Sequence, residues 1–231
     1  FGSWEPNPSI PEFKYEPEEK LTSAVERHVY GNESDFLLFG WRCPGQKDKE
    51  SEIAGIVGSI LTNGKAGLID LDLNQSQKVL YAGSQIYDRM DYSDFLIQGY
   101  PKDGQSMDEV RTLILAEVAK LRAGEFDESL IEAAISNIKL RQMRQLESNS
   151  SRAMMMVNSF IKRSDWADEV HELDRLEKVT KADVVEWANE YLSDNSYVVV
   201  YKHQGVNPKN NKIVAPAITP IATNRDKQSA F

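Results

Sequence analysis

One cysteine in 231 residues, Cys43, leaves no internal disulfide framework. Histidine is almost as scarce: His28, His171 and His203 are the whole supply, and no two stand three or four residues apart. A His-rich zinc site therefore cannot assemble on one helix. No apolar run approaches the ~20 residues that a membrane span needs, and no apolar leader opens the chain. Basic residues are in deficit, with 27 Lys and Arg against 36 Asp and Glu and a net charge of −9. They read as scattered along the chain rather than gathered into a stripe, which argues against a duplex-binding face. What remains is ordinary globular composition, 41% hydrophobic, enough for a sizeable core.

The chain is organised around residues 50–101. Ile53, Ile56, Val57, Ile60 and Leu61 recur at helical spacing, and Asn63-Gly64 supplies the stop. Gly55 and Gly58 on the same helix would let another element come close. Residues 77–90 and 92–101 then read as two strands that reverse at Asp91-Tyr92, a turn so tight that the pair must be antiparallel. Before this unit, Pro6, Pro8, Pro11 and Pro17 make residues 1–20 an extended connector on the domain surface. Residues 24–30 and 35–43 read as strands with a turn at Gly31-Asn32.

Four helices are expected after residue 105. Ser106 with Glu109, and Thr180 with Asp183, form capping boxes for the first and last of them. The third carries Met154-Met155-Met156, which fit gap-filling in a core. Residues 197–201 make a final strand, and 204–231, polar and punctuated by Pro208, Pro216 and Pro220, read as a linker. The order of elements predicts an α+β fold, a mainly antiparallel sheet with helices packed on one face.

No active site is visible in the residues themselves. Asp70, Asp72, Asp88, Asp91 and Asp94 offer carboxylates, but nothing in their spacing makes two converge, so solvated charge is the expectation. Cys43 is expected to be a buried apolar side chain, and the three histidines to be surface or interface residues. Catalytic, cofactor-binding and metal-ligating residues are all expected to be absent from this chain.

Several segments nonetheless share an order and spacing with a known family. Phe1-Gly2 leads into the Pro-rich stretch, and the first helix ends in Leu61-Thr-Asn-Gly64. Residues 71–82, the helix start Phe126-Asp-Glu-Ser-Leu-Ile131, and Leu176-Glu-Lys-Val-Thr-Lys-Ala-Asp-Val184 with Ala188 and Tyr191-Leu192 complete the set. Over residues 1–203 this resembles the second domain of M16 metallopeptidases, the insulinase and pitrilysin group, whose LuxS-like domains close as two halves around peptides. The resemblance implies residues 1–20 as the passage from an upstream domain, 21–203 as the domain proper, and 204–231 as the linker between halves.

In that family an inverted His-x-x-Glu-His motif and a distal Glu in the first domain hold zinc. No such motif occurs here, so the resemblance places the zinc in an upstream domain and makes this chain non-catalytic. The opposite half of active members supplies an Arg and, seven residues later, a Tyr that stabilise the reacting carbonyl. Aligned on Tyr81, the Arg position falls on Asn74, which lacks the fixed charge, so Tyr81 is expected to be a wall residue.

The function implied is a structural domain of a zinc metalloendopeptidase that walls part of a peptide chamber. The alternatives are a domain of an inactive M16-like scaffold subunit and a module that adds a peptide strand to a sheet edge. The partners implied are the parent's other domains and its peptide substrate, with no nucleic acid and no membrane span. Likeness to bacterial long-chain members points to the envelope or periplasm.

Overall fold

A computed structural model of the protein describes residues 2–11, 16–209 and 217–219. Five strands form one sheet in the order β1-β5-β2-β4-β3. They are β1 (Val25–Gly31), β2 (Phe36–Pro44), β3 (Tyr81–Tyr87), β4 (Tyr92–Tyr100) and β5 (Tyr197–Gln204). All neighbours are antiparallel except β1 and β5, which run parallel. The helices are α1 (Ser51–Leu61), α2 (Met107–Ala123), α3 (Ser129–Leu146), α4 (Asn149–Lys162), α5 (Trp166–Val170), α6 (Glu172–Leu176) and α7 (Lys181–Tyr191). The α+β expectation therefore holds, with two short helices, α5 and α6, that periodicity over so few residues cannot reveal.

Strand alternation puts the helix layer on one face. Leu37, Phe39, Trp41 and Cys43 of β2 and Phe95 and Ile97 of β4 are buried, while their neighbours are only partly covered. Helices α1, α2 and α7 rest on that buried face. The indole N–H groups inside this core are satisfied, Trp41 donating to the Ser193 carbonyl at 3.2 Å and Trp187 to that of Glu50 at 2.9 Å. At Gly99 the sheet and α2 meet directly. A Cβ there would stand 2.5 Å from the Ile114 Cδ1 and 2.8 Å from a Val110 methyl.

Both capping boxes form, at Ser106 with Glu109 and at Thr180 with Asp183. Residues 77–80 leave the expected third strand, because Asp70–Gln75 coils into a π-helix and Gln77 takes a positive φ of 54° before β3 can begin. The final strand reaches Gln204 rather than residue 201. The expected linker lies mostly outside the described residues, as does part of the connector.

The turn at Gly31-Asn32 does not close a hairpin. β5 slots between β1 and β2, so the connection must be wide enough to cross a strand. Lys202 of β5, which is buried, fills the gap. Its ammonium donates to the carbonyls of Gly31 and Ser34, each at 3.3 Å, and also to that of Glu33. Three carbonyls that a tight turn would pair internally are satisfied by one cation.

Replacing Lys202 by Met should cost about 1–3 kcal/mol, since it strands the Glu33 and Ser34 carbonyls, while that of Gly31 keeps the Gly205 N–H at 2.8 Å. Gly55→Ala should instead stabilise by about 0.5–1 kcal/mol, because a Cβ at this exposed helical position meets nothing within 4 Å. Urea unfolding midpoints, with m unchanged, would measure both.

Candidate functional site

The face of the sheet opposite the helices carries no helix layer among the described residues; connector residues 17–21 cross it near Gly40, Arg42 and Tyr92, and Tyr81 stands on the part away from them. Tyr81, Gly83, Gln85 and Tyr87 of β3 register against Tyr100, Gln98, Leu96 and Asp94 of β4 on this side. Tyr81 is 54% exposed, and its ring lies 6.3 Å from that of Tyr100. The phenol folds back along its own strand over Gly83, where an added Cβ would come within 2.5 Å of the Tyr81 hydroxyl. That hydroxyl makes no hydrogen bond among the described residues, whereas the Tyr100 hydroxyl accepts from Gln98 Nε2 at 2.6 Å.

Asn74 is not beside it on the open face. It leaves the π-helix to grip the outer edge of β3, donating from Nδ2 to the Ala82 carbonyl and accepting the Ala82 N–H, both at 2.8 Å. A side-chain amide thus imitates a neighbouring strand at a residue that is fully buried. One step along, the Ser84 N–H donates to the Thr62 hydroxyl at 3.1 Å. With the Ala82 N–H and carbonyl and the Ser84 N–H taken, this stretch of the β3 edge offers an added strand fewer ladder groups.

The expected carboxylates are dispersed into local partnerships. Asp70 is buried and accepts from the N–H groups of Asn63, Gly64 and Gly67 at 2.7, 2.8 and 3.3 Å, anchoring the loop after α1. Asp72 accepts from Lys120 at 2.5 Å, and that contact holds its carboxyl below the usual range. Lys120 also reaches Glu117 at 3.0 Å, whose own carboxyl is pushed up by burial. Asp91 pairs with Lys47, and Asp94 with Arg89 at 3.1 Å. Cys43 is buried, and burial pushes its thiol up to about 12, far from the thiolate a nucleophile needs.

Two histidines do meet. His28 Nδ1 and His203 Nε2 lie 2.7 Å apart with stacked rings, and His28 Nε2 stands 3.0 Å from Glu26. Arg111 of α2 ties this edge down, donating to Glu26 at 2.9 Å, to the Tyr201 hydroxyl at 3.0 Å and to the Tyr197 hydroxyl at 3.1 Å. Helical offsets cannot reveal such a pair, because the parallel register of β1 on β5 creates it. His171 sits apart with Asp174 at 2.7 Å. Among the described residues no three His, Cys, Asp or Glu side chains converge as metal ligands would.

At the other end of the sheet the connector is strapped down. Arg42 donates to the carbonyls of Glu18 and Glu19 at 3.1 and 2.9 Å, and the Glu18 N–H donates to the Tyr92 hydroxyl at 3.2 Å. A cavity of about 810 Å³ lies beneath, bordered by Gly40, Arg42, Tyr92 and Tyr191.

The described residues thus form a one-sided α+β layer in which no three His, Cys, Asp or Glu side chains converge. The chain belongs to the M16 peptidase family, as an inactive domain of that family: the family model described as "Peptidase M16 inactive domain" matches residues 1–138. A comparison with curated proteins finds no match. Among solved structures, a protease from Helicobacter pylori superposes with a TM-score of 0.77 at 21% identity, over 86% of this chain and 48% of that one. A peptidase M16 inactive domain from Pseudomonas fluorescens gives 0.71 at 13% identity, over 88% and 49%. The periplasmic protease PqqL from Escherichia coli gives 0.63 at 13%, over 92% and 27%. This chain therefore spans about half the length of the first two, or less of the third.

Asn74→Ala should destabilise by about 1–3 kcal/mol by leaving the buried Ala82 amide unpaired. Tyr81→Phe should shift stability by less than about 0.5 kcal/mol, as its hydroxyl makes no hydrogen bond among the described residues. Thermal melts of the two variants beside the parent chain would separate the roles.

Proposed function

We propose that this domain forms part of the wall of a peptide-enclosing chamber in an M16 zinc metalloendopeptidase, with zinc held by a His-x-x-Glu-His motif in a preceding domain. The observation that carries the reading is the sheet face around β3, which no helix covers among the described residues. Exposed Tyr81 and Tyr87, with half-buried Leu96 on the neighbouring strand, suit it to lining a space filled by an extended peptide. Residues 21–203 act as the domain, 1–20 lead in from the zinc domain, and 204–231 lead toward the second half.

Tyr81 serves as wall surface rather than as an oxyanion donor, because Asn74 is committed to the edge of β3 and brings no charge to the open face. The likeness to a periplasmic protease supports an envelope location. Proteolysis, in this reading, belongs to the assembled parent.

The 231-residue chain, incubated with zinc and quenched peptides, should show no chelator-sensitive cleavage. In the parent, Tyr81→Phe should leave kcat within about threefold, whereas loss of a true oxyanion donor costs ~10²–10³. Robust turnover by the chain alone would end the reading, and a gene without the zinc motif would make the parent a scaffold subunit.

A further inference from the structure

Helix α4 is turned the wrong way for a helix that completes its own core. Its one buried residue is Ser159, whose hydroxyl lies 3.3 Å from the Ser164 carbonyl. Its apolar residues face out, with Phe160 85% and Met156 60% exposed and Val157 beside them. These positions recur at i, i+1 and i+4, so they form one stripe. The Met run expected to fill a core does not do so, because α4 packs on α3, outside the layer that touches the sheet. Met143 and Leu146 of α3, also exposed, extend the stripe across the hairpin.

The same hairpin is rich in basic residues. Residues 139–163 hold six of them against one acid, Glu147, and two are paired with acids outside it, Lys139 with Glu177 at 3.3 Å and Lys162 with Glu169 at 3.7 Å. Arg141 and Arg144 form no ion pair among the described residues.

We infer that the α3–α4 hairpin is a docking face for another domain of the same polypeptide, one presenting an apolar patch bordered by acidic side chains. The inference rests on the reading that this domain works inside a longer protein. Two observations select that occupant. The chain accounts for 48% and 49% of the Helicobacter and Pseudomonas structures that it matches along most of its own length, so such proteins carry as much polypeptide again. Arg144, exposed on α3 next to Met143 and in no ion pair among the described residues, favours an occupant with an acidic rim over a second copy of the same hairpin. Burial of a central aromatic such as Phe160 beside arginines is the usual composition of an interface centre.

Cysteine labelling tests this without asking any part to fold in isolation beyond the chain described. Cys43 is buried, so Ile161→Cys, 57% exposed and adjacent to Phe160, introduces one accessible thiol while leaving the aromatic in place. Maleimide labelling at that position, mapped by mass spectrometry, is run on the 231-residue chain and on the full-length gene product. The expected result is labelling slowed by at least about tenfold in the full-length protein, with Met156→Glu, on the exposed surface, partly restoring the rate.

Equal labelling in the two proteins would overturn the inference, as would a gene product no longer than this chain. Protection that rises with the concentration of the 231-residue chain would assign the face to a second copy instead. Protection of that chain by phosphatidylglycerol vesicles, with none in the full-length protein, would assign it to a lipid surface. Peptidase activity of the full-length protein is measured separately, so the chamber reading and this one can fail independently.

Discussion

The architecture depends on β5, the last strand in sequence, entering between the first two. Without it, β1 has no neighbour and β2 has only β4, so the sheet loses its parallel edge. The insertion requires a connection from β1 to β2 that steps over a strand, and the buried Lys202 ammonium makes that connection tenable by collecting its carbonyls. A lysine is suited to this task, because its three donors on a compact head can serve acceptors in different directions. The aromatic packing of the core rests on the same strand, since Tyr197 of β5 meets Trp41 at 5.3 Å and Phe39 at 5.7 Å.

From this placement follows the division of the molecule into a covered side and an open side. Alternation along β2, β4 and β5 sends Phe39, Trp41, Phe95 and Val199 to the helices and leaves the other face without a helix layer among the described residues. The outer edge of β3 is closed by side chains, through Asn74 and Thr62, rather than by another strand. An exposed edge invites pairing with stray chains, and closing it in this way keeps the open face available while blocking the edge. At position 74 the amide makes two backbone bonds that a guanidinium, with no acceptor, could not reproduce.

The inactive character of the domain has a physical basis beyond a missing motif. Several polar groups that chemistry could use are committed to the fold. Asp70 anchors a loop, Asp72 and Glu117 share Lys120, and Cys43 is held as a neutral thiol by burial. Groups so satisfied contribute to the fold and leave nothing poised for substrate.

Much of the fold was legible along the chain because its causes are local. The apolar spacing of α1, the two capping boxes and the β3–β4 reversal each depend on residues within a few positions of one another, where φ/ψ preference and side-chain reach act directly. The absence of a zinc motif was equally plain in the linear order of residues. What only the tertiary structure decided were relations between distant segments: β5 between β1 and β2, His28 against His203, Asn74 on the edge of β3, and the outward stripe of α4. Helical periodicity reports that a helix has an apolar side. Which way that side turns is set by the surfaces already occupied, and the sheet beneath α4 was taken by α1, α2 and α7.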